Sequence, residues 1–398
     1  MKVTEFSIAN FKSFSNYQAP PTGVASGLRT INMIYGENNS GKSNILKFID
    51  IVFSGKISRE APVIVEGALT QRDQFIGGFW QGVIMDQPFI YHKNERTRVI
   101  EIFFKVEILN DEIEDSGFEK LEVLLKEFPT GSNVSTIEFK AEIKNFKDPY
   151  TSLFELKEAK LNGLEIYADI TGSKKRYFNN GATGHALYED SVSFESLISI
   201  LNNKVLFLDN DRYYSKEIDT NSLILTTKNF KNWLYKLSLD PINYKKYEKF
   251  KKFVRDQSFR GVAGRIFKDF DPTYSNVNGE IELNLSNGSD RLPISSFGTG
   301  IHQILFLLTL IFETKAKILL IEELELNLSP QSQRELLQIF RRLIGSKVVD
   351  QVIFTTHSPY LRSTTDFSIY EVSMNSVGVS QIENKAAVRP SFFNYKRH

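Results

Sequence analysis

Apolar residues follow different periods in different parts of the chain. Residues 2 to 12 alternate well enough to predict a first strand, and a Pro/Gly/Ser-rich turn, Ala19-Pro-Pro-Thr-Gly-Val-Ala-Ser-Gly27, follows it. Thr30-Ile-Asn-Met-Ile-Tyr35 predicts a second strand, and after a glycine-bearing break Ile45, Phe48, Ile49, Val52 and Phe53 recur at helical spacing. From Pro88 to Ile170 strand signals dominate, at Arg98 to Ile108, Ser135 to Ile143 and Leu164 to Ile170. Polar or Gly/Pro breaks separate them, which predicts an antiparallel meander rather than repeated βαβ units. Between about Ser191 and Asp269 the pattern turns helical. After residue 290 it alternates again, with strands at Lys317 to Ile321, Gln351 to Thr356 and Ser368 to Val372 and helices between them. The run Ile301 to Phe312 contains His302 and Gln303 and is too short to span a bilayer, so it predicts a buried helix. Ser329-Pro330 starts another, whose apolar face is Leu336, Leu337, Phe340, Leu343 and Ile344. Neither an internal repeat nor long a/d heptads occur, so an extended coiled-coil arm is not expected.

Composition changes this picture in three places. With 398 residues the chain is long enough for two substructures, and 32 Phe with 16 Tyr suit a β-rich protein or one with large contact surfaces. A net charge of +1 gives no global footprint for nucleic acid, but residues 228 to 268 hold twelve Lys or Arg against three Asp or Glu, interleaved with Tyr244, Tyr247, Phe250 and Phe253. Either this stretch is a surface for nucleic acid or an acidic partner, or it is an amphipathic helix with aromatics inward and lysines solvated; the helical spacing of the aromatics favours the second. The absence of cysteine excludes disulfides, thiolate zinc sites and cysteine nucleophiles, and makes a cytoplasmic location the simplest reading. The N-terminus lacks a long apolar segment and no uncharged apolar run is long enough to cross a bilayer, so no membrane association is expected.

The break between the second strand and its helix carries the chemistry. Gly36-Glu37-Asn38-Asn39-Ser40-Gly41-Lys42-Ser43 fits G-x-x-x-x-G-K-[ST], in which two glycines let successive backbone N–H groups face phosphate oxygens. Lys42 supplies a mobile positive charge and Ser43 a hydroxyl for Mg²⁺. ATP or GTP is the implied ligand. Three further segments gain weight from this one. Lys317-Ile-Leu-Leu-Ile-Glu322-Glu323 is an apolar strand ending in two acids whose side chains leave on opposite faces, so one can hold Mg²⁺ and the other activate water; an exposed acidic turn, with Glu325 close behind, is the plainer alternative. Ser295-Ser296-Phe-Gly298-Thr-Gly300 is a glycine-rich turn running into an apolar helix, read either as a second anion site or as helix capping by Ser295 or Ser296 with glycines needed for packing. His357, just past a strand end in Thr355-Thr-His-Ser-Pro359, can donate to a γ-phosphate or polarise water.

The order of these segments resembles that of the ATP-binding-cassette (ABC) ATPases, specifically the soluble heads of the SMC, RecF and OLD-like group. Gly36 to Asn44 looks like their Walker A, Phe6 to Phe14 like their opening strand and turn, and Ser295 to Gly300 like their signature motif. Ile321-Glu-Glu-Leu-Glu325 is similar to the Walker B of the OLD-like branch, and Thr356-His-Ser-Pro359 to the switch histidine. The resemblance implies an α/β P-loop ABC-type ATPase head with an antiparallel β lobe and a helical insertion. Its parts would be residues 1–90 with the Walker A, a β-rich lobe at 91–190, the insertion at 191–280, and residues 281–398 with the signature, Walker B and switch histidine. ATP and Mg²⁺ are the implied cofactors. Gly36 to Asn44 would hold the nucleotide, Lys42 also acting in catalysis; Ser43 and Glu322 would hold the metal, Glu323 would be the base and His357 the γ-phosphate sensor. Ser296 and Gly298 would act on ATP bound by a second copy. Three departures stand out: Glu322 where most cassette ATPases carry Asp, Asn327 and Ser329 where relatives often carry histidines, and no fixed Q-loop glutamine, with Gln71 and Gln74 as candidates.

OLD nucleases carry a nuclease domain after the switch histidine, whereas 41 residues follow His357 here, too few for one. The expected protein is a dimerising, nucleotide-gated switch, a homodimer of heads or higher oligomer that controls an effector encoded nearby, in bacterial anti-phage defence. The alternative is a DNA repair or maintenance ATPase of RecF or SMC type, with the basic stretch on the phosphates.

Overall fold

A computed structural model describes residues 1–15, 23–53, 57–58, 60–65, 68–75, 81–84, 99–110, 133–145, 152–168, 204–210, 230–257, 270–275, 280–287, 290–362 and 367–385. Parts of the predicted turn (19–22) and of the predicted helical stretch (191–203, 211–229 and 258–269) lie outside these residues. In chain order the elements are β1 (Lys2–Ala9), β2 (Gly23–Ser26), β3 (Ile31–Tyr35), α1 (Lys42–Phe53), β4 (Ile57–Ser58), β5 (Glu60–Val65), β6 (Ala68–Phe75), β7 (Gln81–Ile84), β8 (Ile100–Leu109), β9 (Val134–Asn145), β10 (Ser152–Leu161) and β11 (Leu164–Ala168). There follow β12 (Val205–Leu208), α2 (Phe230–Leu239), α3 (Tyr244–Gln257), β13 (Phe270–Ser275), β14 (Glu280–Asn287), β15 (Asp290–Pro293), α4 (Thr299–Thr314), β16 (Ile318–Ile321), α5 (Pro330–Gly345), β17 (Gln351–Thr356), α6 (Pro359–Arg362), β18 (Ser368–Met374) and β19 (Ser380–Lys385). They divide into two compact units, Met1–Val205 with Thr365–His398, and Leu206–Thr364.

The first unit is built on an antiparallel sheet in the order β2-β1-β8-β9-β10-β7-β4, with β11 also on β10. Its interior strand β8 alternates buried and partly exposed residues along its length, as a sheet with one face in the core requires. The abundant phenylalanine is used here. Phe48 and Phe53 of α1 meet Phe104 of β8 at ring-centroid distances of 5.2 and 4.8 Å, Phe104 meets Phe139 of β9 at 5.6 Å, and Phe11 meets Phe48 at 5.4 Å. Each buried ring contributes roughly 1.5–3 kcal/mol by leaving water. The helix following the phosphate-loop motif is thereby fixed to the β lobe. In the same unit β18 runs parallel to β3 and antiparallel to β19.

In the second unit β12, β16 and β17 lie side by side, β16 and β17 parallel and joined through α5. Their residues are almost all buried, so these strands read as continuous apolar runs. Ser329 caps α5, its Oγ accepting from Ser332 N at 3.2 Å, with Pro330 at the first helical position as predicted. α4 is the expected buried helix. The basic stretch forms α3 with its aromatics mostly inward: Tyr247 and Phe250 are buried, and Phe250 packs on Trp233, Phe270 and Phe312 with centroids 5.2–5.9 Å apart. Lys246 is held by the buried carboxylate of Glu313 at 2.7 Å and Lys251 by Asp271 at 3.2 Å. Two cations of the run therefore support the fold. Among the described residues no helix is long and apolar enough to cross a membrane.

Several strands escape the sequence pattern: β2 falls inside the stretch predicted as a turn, and no strand is predicted at β4 to β7, β13 or β14. β12 is four apolar residues within a stretch read as helical, too short to show a period, while β15 and β19 are polar edge strands carrying little apolar signal.

Candidate functional site

In the first unit the motif Gly36 to Ser43 spans the step from β3 into α1. Packing dictates both of its glycines. A Cβ on Gly36 would lie 2.1 Å from the Val372 carbonyl oxygen on β18, and one on Gly41 would lie 2.3 Å from Ser380 Oγ and 2.6 Å from Ser13 Oγ. Gly41 also has φ +104°, where an L side chain is strained, and Asn39 sits in the left-handed region at +61°. Ser380 Oγ donates to Ser40 O at 2.6 Å, Ser380 N to Ser13 O at 2.8 Å, and Asn44 Nδ2 to Ser13 Oγ at 2.8 Å. The turn after β1 and the start of β19 thus brace the loop from behind.

Lys42 is 5% exposed, and its ammonium folds back over the loop to donate to Gly36 O at 3.0 Å and Glu37 O at 2.6 Å. Glu37, Asn38 and Asn39 are exposed, Ser43 is half-buried, and Ser40 Oγ is buried with no hydrogen-bond partner among the described residues. The first-turn N–H groups of α1 have no intrahelical acceptors and carry the positive end of the helix dipole. A buried lysine, a strained glycine-rich loop and a helix start together form an anion cradle. The hydroxyl of Ser43 beside it is the hard oxygen donor that Mg²⁺ takes together with phosphate oxygens. Gln71 and Gln74 both fall on β6, of which only the backbone is described.

In the second unit Glu322 follows β16 directly, is 3% exposed, and donates its N–H to Leu208 O at 2.8 Å. Glu323 has φ +43°, an uncommon conformation for a long side chain and one often met at functional sites. It is held there by Thr355, whose Oγ1 accepts from Glu323 N at 2.9 Å and whose carbonyl accepts from Leu324 N at 3.0 Å. The two adjacent acids differ in exposure. Glu322 is buried and Glu323 half-buried.

His357 is half-buried at the end of β17. Its N–H donates to Glu325 Oε1 at 2.5 Å, and Thr356 Oγ1 donates to Glu325 Oε2 at 2.7 Å. Below it Ser358 Oγ donates to Gln333 Oε1 at 2.8 Å, and Gln333 Nε2 donates to Leu328 O at 3.0 Å. Glu325, taken from the sequence as part of an acidic turn, is thus a buttress of the histidine segment. Only the three-residue offset from Glu322 hinted at it, because its partners lie more than 30 residues away.

The Ser/Gly turn also lies in the second unit. Ser295 and Ser296 are exposed on a 3₁₀ turn (Ile294–Ser296), and the N-cap of α4 is Gly298, with no side-chain capping bond. Capping by Ser295 or Ser296 is therefore not their use. The two glycines differ: a Cβ on Gly300 would press on Leu328 Cδ2 at 3.1 Å and Ser332 Oγ at 3.3 Å, whereas one on Gly298 would meet nothing within 4 Å among the described residues. Packing accounts for Gly300 and leaves Gly298 facing open space. Behind the turn His302 bonds the Ile294 carbonyl at 2.8 Å through Nε2, and burial lowers its pKa below the usual histidine value, Lys231 adding to the effect and the Ile294 bond opposing it.

The family model described as AAA ATPase domain matches residues 1–361. Similar solved structures include an SMC head bound to the C-winged helix domain of ScpA, at 17% identity and a TM-score of 0.48, covering 97% of this chain and 98% of that chain. The SMC head domain from Thermotoga maritima is 13% identical with a TM-score of 0.46, covering 97% and 99%. An SMC head with an extended coiled coil, bound to the C-terminal domain of ScpA derived from Pyrococcus furiosus, is 14% identical with a TM-score of 0.45, covering 96% of each chain. No curated protein matches the chain.

Proposed function

We propose that this chain, which belongs to the AAA ATPase domain family, hydrolyses ATP and uses the nucleotide to switch between open and paired states. The observation that carries the proposal is the loop at Gly36 to Ser43, where Lys42 is buried against two loop carbonyls and both glycines are required by packing. Lys42 and the α1 N-terminus would hold the β- and γ-phosphates, with Glu37, Asn38, Asn39, Ser40 and Asn44 shaping the loop around them. Mg²⁺, when bound, would neutralise charge developing on the phosphates, with Ser43 and Glu322 as its protein ligands. Glu323 is assigned the role of orienting and deprotonating the attacking water, and His357 that of contacting the γ-phosphate.

Ser296 and Gly298 are assigned to the nucleotide of a second copy. Their exposure and the open space at Gly298 suit a surface that another chain approaches. Closure would then draw on the binding energy of ATP between two copies, and hydrolysis would release it. Control of an effector protein, in anti-phage defence, is the outcome assigned to that cycle; it is supported by the resemblance of the motifs to the OLD-like branch.

Nucleotide binding and turnover by two variants test the assignment. Lys42→Ala should weaken ATP binding by about 30-fold or more, the equivalent of a charge-assisted hydrogen bond of ~2 kcal/mol. Glu323→Gln should bind ATP with normal affinity and lose about 100-fold or more in turnover. Normal hydrolysis by the Gln variant would remove Glu323 as the base.

A further inference from the structure

Glu325 lies two residues beyond the assigned base, yet its carboxylate faces another segment. Oε1 accepts the backbone N–H of His357 at 2.5 Å and Oε2 accepts the Thr356 hydroxyl at 2.7 Å. A carboxylate with both oxygens engaged by consecutive residues fixes direction as well as distance, and hydrogen bonds to an ionised acceptor are about twice as strong as neutral ones. Thr356 Oγ1 in turn accepts from Ser358 N at 2.9 Å, so residues 356–358 form a short folded tip rather than a continuation of β17.

The same turn reaches towards the signature segment. Thr299 Oγ1, in the first turn of α4, donates to Asn327 O at 3.2 Å, and Leu328 lies against Gly300. Asn327, like Glu323, is in the left-handed region, at φ +56°. Backbone bonds from Leu326 N to Glu323 O at 2.9 Å and from Leu328 N to Glu325 O at 2.9 Å tie these strained residues into one tight turn. Glu323 at its start, Glu325 in its middle and Asn327 near its end are thus mechanically continuous, and the turn touches His357 on one side and the start of α4 on the other.

We infer that Glu325 is a positioning residue for His357: its carboxylate orients the histidine segment so that the ring acts on the γ-phosphate, and it links that orientation to the turn on which α4 rests. The inference deepens the reading of the site given above and rests on it for the role of His357. The Glu325 clamp itself is a contact within one unit, observable without nucleotide.

Two measurements test it together. In the first, amide hydrogen exchange is followed over residues 355–361 of the full chain without nucleotide. Glu325→Ala should raise the exchange rate of the His357 amide by about 10-fold or more, while Glu325→Gln, which keeps an acceptor oxygen, should raise it less. Unchanged exchange in the Ala variant overturns the clamp. In the second, ATP turnover is measured in a double-mutant cycle. Glu325→Ala should lower kcat by about 10- to 100-fold with little change in KM, and in a His357→Ala background should have no further effect beyond about twofold. Multiplying effects in the cycle would show that Glu325 does not act through His357 and would overturn the inference. The Gln variant should recover much of the lost rate, whereas a merely structural role would appear as a lower melting temperature with proportionate loss in both backgrounds. Absence of hydrolysis by the wild-type chain would defeat the proposed function instead, and the exchange experiment would still decide whether the clamp exists.

Discussion

Gly36→Ala tests how the phosphate loop is held. The new methyl carbon would begin 2.1 Å from the Val372 carbonyl oxygen and 2.8 Å from Ser40 Oγ. A tolerable carbon–oxygen contact is about 3.3 Å, so a shift of about 1 Å must be found. Ser40 can rotate its hydroxyl, but the Val372 oxygen belongs to backbone. It follows Glu371, which is in parallel register with Tyr35, so moving it away disturbs the β3–β18 pairing at the point where the loop starts. Overpacking of this kind costs about 1–3 kcal/mol, which for a unit of this size lowers the melting temperature by roughly 2–12 °C. The alternative to unfolding is displacement of the loop, which moves the carbonyls that Lys42 grips. Thermal unfolding followed by circular dichroism, paired with a fluorescence titration of ATP, reads both effects. Gly298→Ala is the control, because a Cβ there meets nothing within 4 Å among the described residues; its melting temperature should stay within about 2 °C of wild type, since only an N-cap preference is altered. Wild-type melting together with wild-type ATP affinity in Gly36→Ala would refute the account of the loop.

Two further outcomes are expected. Because burial holds the pKa of His302 below its ordinary value of 6.5, the unfolded chain takes up a proton first as pH falls; the stability due to neutral His302 is complete above pH 6.5 and is lost as pH falls through the folded pKa. Melting scans from pH 8 to 5 should show a decline that His302→Gln reduces, and identical slopes would contradict it. Reversing Lys245, Lys249 and Lys252, all exposed on α3, should leave folding intact, unlike reversal of Lys246 with its buried Glu313 partner. Salt-dependent binding of DNA lost on that triple reversal would favour the DNA-maintenance alternative.

How far the sequence foretold this molecule depends on the distance between cooperating residues. The loop at Gly36 to Ser43 was legible as a motif because its pattern lies within eight consecutive residues. Its bracing was not, since the contacts to Val372 and Ser380 cross more than 300 residues and those to Ser13 lie outside the motif, before β2. The inward aromatics of α3 followed from spacing alone, while the capture of Lys246 by Glu313 did not, because a lysine run carries no mark of which members are paired. The acids at the end of β16 stand out by position, whereas the left-handed backbone at Glu323 carries no mark in the sequence. Glu325 went unrecognised because a carboxylate that holds a backbone N–H looks, in sequence, like any acid in a turn. β12 was lost to its length, four residues being too few to distinguish a buried strand from a helical fragment.

The central claim is that ATP is hydrolysed at sites completed by a second copy of the chain, and mixing two inactive variants tests it most directly. Lys42→Ala lacks the lysine assigned to the phosphates and Ser296→Arg blocks the surface assigned to a partner; each alone should be inactive. Equal amounts mixed should recover up to about a quarter of the wild-type rate, because half of randomly paired dimers carry one intact site of two. A mixture as inactive as its components would contradict the shared site.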